Sequence, residues 1–449
     1  MKQIYDWTWV EAQAAATMAE WESCTERPWR GQPQFSLAEQ RKREKAYDEG
    51  LRAVEREARK APRTRAERLE AQRRVVAVFP RFAAIALGLE GDAIDLLTDG
   101  FLPAGTGLAR WARQFDPELG TADLIQACRN AWTACGLQAL LGEQMALTPS
   151  IVGYSLLYPY SDNYLDQLGI TKAEKLEFSA RFRERLRGHR LPTRSRREAT
   201  VWAMVHLIEG EFPRPRFPQV YECLLAIHQA QELSMAQLKE SGECHDAELL
   251  RLSCQKGGTS VLADACLVRG WLSEDESRLG FAWGALLQLG DDLQDVQEDL
   301  ERGSASLFSR AAARGESLDG LVMQLLNFSD LVSARMERMP EGSAALKKLL
   351  RMSWRNLILM AVAGAQEFFT RPLLAELEAS SPFRFDFLRA RQRKLAGREG
   401  LYAALVDAFL EAGDGDFGVF PLPVEYSEWC LRNECEEPGE LVALGGSYT

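Results

Sequence analysis

Five acidic side chains, Asp291, Asp292, Asp295, Glu298 and Asp299, fall within nine positions of the run LLQLGDDLQDVQEDLERG. On a helix turning about 100° per residue, Asp295 lies about 40° from Asp291, Asp299 about 80°, Asp292 about 100° and Glu298 about −20°, so all share one third of the circumference. A solvated amphipathic face would look the same, with Leu293, Val296 and Leu300 turned inward. The preceding turns argue otherwise. FAWGALLQLG is apolar nearly all round, and Phe281, Gly284 and Gln288 occupy the arc that later carries the acids. The acids therefore stand at the rim of an internal lining. Carboxylates about 4 Å apart in such a place repel by roughly 4 kcal/mol per pair at an effective dielectric of 20, so they must protonate, meet cations, or both. A divalent metal is the economical answer. Mg²⁺ takes one or two carboxylates and completes its shell with water and phosphate oxygens, which calls for a second acidic site elsewhere.

The segment LLYPYSDNYLDQLG supplies one. Asp166 lies about 40° and Asn163 about 100° from Asp162, while Tyr158, Ser155 and Ile151 continue the same face upstream. Acids again follow an apolar lining. Pro159 has no amide hydrogen for the Ser155 carbonyl, so a kink is expected just before the acids.

The elements that must position these groups read as helices throughout, an all-α protein. Ser36-Leu-Ala-Glu39, Thr171-Lys-Ala-Glu174 and Ser273-Glu-Asp-Glu276 are capping boxes, and Gly188 and Gly303 are helix stops. The helix opened by Ser273 can run about 28 residues, roughly 42 Å, long enough to cross a domain. Residues 1–75 read as a charged helical extension, in which 36–74 form a solvated face or hairpin. Residues 76–370 form the main helical domain. Residues 371–449 hold further helices and a tail in which EAGDGDFGVFPLPVEY breaks the helical pattern. The basic run Arg181, Arg183, Arg185 and Arg187 reads as mainly solvated.

Composition narrows the classes. The chain has 449 residues, 46% of them hydrophobic, enough for an extensive core. A formal charge of −11 argues against a general affinity for nucleic acid or anionic membranes. No apolar run approaches the ~20 residues that span a bilayer, and the start MKQIYDWTWVEAQ lacks a signal-peptide pattern, so a cytoplasmic protein is expected. The nine cysteines contain no C-x-x-C pair, and the four histidines are dispersed. Reduced, buried thiols are expected, and Cys244-His245-Asp246 reads as ordinary loop or helix surface.

Taken together, Asp162-Asn-Tyr-Leu-Asp166 and Asp291-Asp292-Leu-Gln-Asp295-Val-Gln-Glu-Asp299 resemble the two metal-binding motifs of class I isoprenoid synthases. More narrowly, NAWTACGLQALLG, YPYSDNYLD and CQKGGTSVLADACLVRG are similar to large bacterial terpene synthases related to tetraprenyl-β-curcumene synthase. The resemblance covers roughly residues 75–370. It implies a helical bundle around a central apolar cavity and a Mg²⁺-dependent carbon–oxygen lyase that ionises a linear prenyl diphosphate, then cyclises the cation or eliminates a proton. A homodimer is compatible with it. Asp162, Asp166, Asp291 and Asp295 would be catalytic through the metals, with Asn163, Asp292 and Asp299 joining the ligand set. Arg251, Lys256 and Arg302 would bind the diphosphate, and Gly257-Gly258, just after Lys256, would interrupt the helix that carries it and expose backbone to the substrate. Tyr154, Tyr158, Phe281 and Trp132 would line the cavity. Two other readings stand beside this one. A chain-elongating prenyl diphosphate synthase would use the same metals, although no Gly-Lys-Arg segment is present. Asn163, standing where many relatives have an acid, fits a catalytically silent protein that binds a prenyl ligand or a partner.

Overall fold

The computed structural model describes residues 4–24, 29, 32–60, 63–166, 169–237, 245–397 and 410. The helix-breaking stretch at 411–426 and Cys244 lie outside them. Among the described residues every regular element is helical, as the sequence leads one to expect. In chain order the first helices are α1 (Trp7–Glu22), α2 (Leu37–Arg59), α3 (Arg65–Phe82), α4 (Gly91–Asp95), α5 (Leu102–Phe115), α6 (Thr121–Leu140) and α7 (Pro149–Leu157). Then come α8 (Asn163–Asp166), α9 (Lys172–Leu186), α10 (Arg196–Glu211), α11 (Pro218–Gln237), α12 (Asp246–Arg269) and α13 (Glu274–Gln294). The last are α14 (Val296–Arg302), α15 (Leu307–Ala313), α16 (Asp319–Glu337), α17 (Ala344–Gly364), α18 (Arg371–Ala379) and α19 (Phe385–Ala396).

The three capping boxes start α2, α9 and α13, each with the hydroxyl and the carboxylate in their reciprocal bonds. Gly188 and Gly303 follow α9 and α14 with φ of 95° and 70°, left-handed values that glycine adopts without strain.

Helix α12 lies at the centre, packed against α13, α11, α6, α1 and α7. The glycine pair within it corrects an expectation. Gly257 and Gly258 do not interrupt the helix, which is continuous from Asp246 to Arg269. They let another helix come close: a Cβ on Gly257 would lie 2.3 Å from the Gly284 carbonyl oxygen, and one on Gly258 would lie 2.6 Å from the Phe281 ring. Small residues on both helices bring the α12 and α13 backbones together and fix the register of the cavity walls.

The boundary expected between 75 and 76 falls inside α3. Helix α1 joins the main core through Tyr5, which precedes it, and Val10, Ala14 and Trp21. Helices α2 and α3 pack together as the expected hairpin, but their charges are not all solvated. Glu44, Glu55 and Glu57 are buried. Glu44 meets Arg384 at 2.6 Å and Glu55 meets Lys394 at 2.9 Å, tying the hairpin to α19 and the Arg384 before it. The basic run on α9 also departs from expectation, because Arg181 and Arg185 are largely buried against Glu198 and Glu209. Mixed charge suits a partner surface as well as water when opposite signs on another helix face it. The described cysteines are buried and none is in a disulfide, and among the described residues no helix is long and apolar enough to cross a membrane.

Candidate active site

Asp291 and Asp292 lie in the last turn of α13, Asp295 caps it, and Glu298 and Asp299 lie in α14. The long helix expected after Ser273 is thus broken at Asp295, whose backbone leaves helical geometry with φ −91° and ψ 6°. The stacking of the acids survives the break. The Asp295 amide donates to the Asp291 carbonyl at 2.9 Å and the Asp299 amide to the Asp295 carbonyl at 2.8 Å, so these three remain on successive turns.

Burial raises the pKa of all three. For Asp291 it is opposed by Arg129 and Lys256, whereas for Asp295 the repulsion of Asp291, Asp299 and Glu298 adds to it. For Asp299, burial is opposed by a Ser306 hydrogen bond. Asp292 is pushed up to about 6, again by burial, against hydrogen bonds from Ser253 and Gln288. Those bonds, 2.5 Å from Ser253 Oγ to Oδ2 and 2.8 Å from Gln288 Nε2 to Oδ1, occupy both of its oxygens and turn it toward α12.

The first motif is shaped by Pro159. The helix widens into a π-helical segment, Tyr158–Asp162, between α7 and α8, which is the form the expected kink takes. Asp162 accepts from Gln231 Nε2 of α11 at 2.5 Å. Asn163 points elsewhere: its amide nitrogen donates to Asp123 at 2.7 Å and to Gln126 at 3.4 Å, both on α6. Asp166 ends α8, and its side chain lies outside the described residues.

Among the described residues, Asp291 is the one acid of the two motifs that borders a cavity of about 630 Å³. Phe79, Leu97, Leu287, Leu350 and Trp354 give it apolar walls, while Arg129, Gln231, Lys256 and Asp291 mark its polar side. A smaller recess of about 50 Å³ contains Asp162 and shares Asn130, Tyr158, Gln231 and Ser260 with the large cavity. Gln231 thus bonds Asp162 on one side and faces the space bordered by Asp291 on the other.

The expected lining residues divide. Tyr158 borders both spaces, Trp132 the large one and Tyr154 the small one. Phe281 borders neither: it packs against Gly258 and edge-on to Trp9, because α12 and α13 approach too closely to leave space there. The expected cations divide as well. Lys256 lines the cavity, and its charge acts on Asp291, Asp292 and Asp299. Arg251 bonds Glu248 at 3.4 Å, and Arg302 bonds Glu298 at 2.5 Å with 72% of its side chain exposed; neither borders the cavity.

Arg129 was not foreseen. It lines the cavity and reaches Asp291 at 3.2 Å. It comes from α6, far from both motifs in sequence, so no spacing marks it. Its one signal is its place in NAWTACG's helix, three residues before Trp132.

The donors on these walls are oxygens, which suit a hard divalent cation. Among the described residues, no three His, Cys, Asp or Glu side chains are grouped so as to hold a metal by themselves. Comparison with family models, with curated proteins and with solved structures finds no match to this chain.

Proposed function

We propose that the protein is a Mg²⁺-dependent class I terpene synthase that ionises a linear prenyl diphosphate and ends by cyclisation or proton loss. One observation carries the reading: Asp162, in a small recess, and Asp291, on the wall of the large apolar cavity, border spaces that share Asn130, Tyr158, Gln231 and Ser260, with Lys256 and Arg129 lining the second. Asp162 would hold Mg²⁺ on one wall and Asp291, Asp295 and Asp299 on the other, the substrate's phosphate oxygens completing each shell. When bound, the metal neutralises charge on the departing pyrophosphate. The set is smaller than the sequence suggests, since Asp292 is engaged by Ser253 of α12 and by Gln288 of its own helix, and Asn163 by Asp123 of α6.

The chain's own residues supply the rest. Lys256 and Arg129 would bind the diphosphate and stabilise the charge left on it as the carbon–oxygen bond breaks, an interaction that strengthens along the reaction. The apolar walls keep water from the allylic cation. Trp132, Trp283 and Trp354 border the cavity, and each aromatic face turned to the cation would favour it by ~0.5–2 kcal/mol. Incubation with Mg²⁺ and farnesyl, geranylgeranyl or geranylfarnesyl diphosphate, with and without isopentenyl diphosphate, tests the reading. Terpene hydrocarbons formed without isopentenyl diphosphate are expected. Elongated diphosphates that appear only with it would replace this reading with chain elongation, and no turnover would favour a silent binder.

A further inference from the structure

Deeper in the same cavity stands a carboxyl group that neither acidic motif contains. Asp264 lies on α12 two helical steps of four beyond Lys256, with Ser260 between, and all three border the cavity. Eight residues span about 12 Å of helix, so Asp264 is well removed from the acidic rim. It is 1% exposed. Its Oδ1 accepts from Asn130 Nδ2 at 3.0 Å, and that same nitrogen donates to Ser155 Oγ at 3.1 Å. Its Oδ2 finds no hydrogen-bond partner among the described residues.

A carboxyl held only for structure has both oxygens satisfied, and a position held only for packing carries an aliphatic side chain. Asp264 meets neither condition. Burial holds it well above the usual carboxylate range, with only the Asn130 bond opposing. Its titratable neighbours are Cys135 and Tyr154, each also pushed up by burial, so neither supplies a countercharge. With Oδ1 occupied as an acceptor, the proton belongs on Oδ2, the oxygen without a protein partner.

We propose that Asp264 is a proton-transfer group for the hydrocarbon in this cavity, its Oδ2–H protonating a carbon–carbon double bond and its carboxylate recovering a proton later in the same turnover. The inference rests on the prenyl diphosphate reading above. After ionisation, the first cation loses a proton to the released pyrophosphate and becomes a neutral polyene. The Asp264 O–H bond then breaks as a C–H bond forms on that polyene, leaving a new carbocation beside the carboxylate. Asn130 stays bonded to the carboxylate while it is charged. In the last step a C–H bond next to the cation breaks, its electron pair forms the product double bond, and its proton returns to Oδ2. No oxidant, reductant or second substrate is required, and Asp264 ends as it began.

The test uses the full chain, Mg²⁺ and the same three prenyl diphosphates in D₂O after exchange, with pyrophosphate release and product mass followed together. Infrared spectra carry a protonated-carboxyl C=O stretch that shifts in D₂O and disappears in Asp264→Asn; this readout needs no turnover. Wild-type product of the first turnover should carry a deuterium, since later turnovers reuse the proton returned from the substrate. In Asp264→Asn pyrophosphate release should continue, the deuterated product should fall by at least about 100-fold, and the neutral polyene should accumulate. Pyrophosphate release with no deuterium in the wild-type product of the first turnover, or equal deuterium in the variant, overturns the role of Asp264 and leaves the synthase reading intact. Absence of pyrophosphate release from every substrate overturns both. If Asp264→Asn does not fold, the wild-type deuterium result decides alone.

Discussion

Asp291 draws charge from two directions, Arg129 on α6 and Lys256 on α12. Both cations face the cavity, so Arg129→Ala and Lys256→Ala should each lower kcat/KM for a prenyl diphosphate by about 100-fold, the scale of one lost electrostatic contact in a transition state. Arg302→Ala, with its exposed side chain paired to Glu298, should change it little. Steady-state pyrophosphate release compares the three. Asp292 gives a prediction in pH. Its pKa is raised in the folded protein to about 6 from 3.8, so the folded state binds more protons than the unfolded state between those values. Its favourable contribution is therefore complete below about pH 4 and is lost as pH rises through about 6. Asp292→Asn should raise stability above pH 6, by on the order of 1–3 kcal/mol, and flatten the profile between pH 4 and 7 in urea titrations without metal. Lys256 was legible because it stands in a recognisable segment. Arg129 was not, since its place beside Asp291 comes from a contact between helices far apart in the chain.

Helix geometry decides which motif residues can act. The 100° rule placed Asp291, Asp295 and Asp299 on one arc of about 80°, and the two backbone bonds across the break at Asp295 keep them on successive turns. The same rule could not show that Asp292 and Asn163 are bonded by neighbouring helices, because a wheel carries no knowledge of what packs on it. Nor could it foresee the role of Gly257. A glycine pair predicts freedom, yet here the missing Cβ atoms serve close approach. A Cβ on Gly284 would lie 1.9 Å from the Gly257 carbonyl oxygen, and backbone cannot yield as a side-chain tip does. Gly284→Ala should therefore cost at least ~2 kcal/mol in chemical denaturation, whereas Gly320→Ala, with open space around it, should be neutral or stabilising. Tyr158 borders both spaces directly before Pro159 in the π-helical segment. Tyr158→Ala should lengthen the accepted chain or redistribute products, as gas chromatography would detect.

At the scale of the whole molecule, the all-α architecture was readable because capping boxes and apolar stretches repeat along the chain. The ties between distant segments were not. Arg384 lies more than three hundred residues from Glu44, and only the fold shows that the acid is buried and depends on it. Arg384→Ala leaves that carboxylate without its ion pair and should cost about 3 kcal/mol, with faster hydrogen exchange in both α2 and α19. The same long-range assembly brings the recess of Asp162 beside the cavity bordered by Asp291, and on that adjacency the functional proposal stands. The most direct test is pyrophosphate release from geranylgeranyl diphosphate and its shorter and longer homologues, with Mg²⁺ and then with chelator, in wild type and in Asp291→Ala/Asp295→Ala. Release that requires Mg²⁺ and is abolished in a folded double variant is the predicted result. Release that persists in the double variant, or none from any homologue in the wild type, would contradict the account.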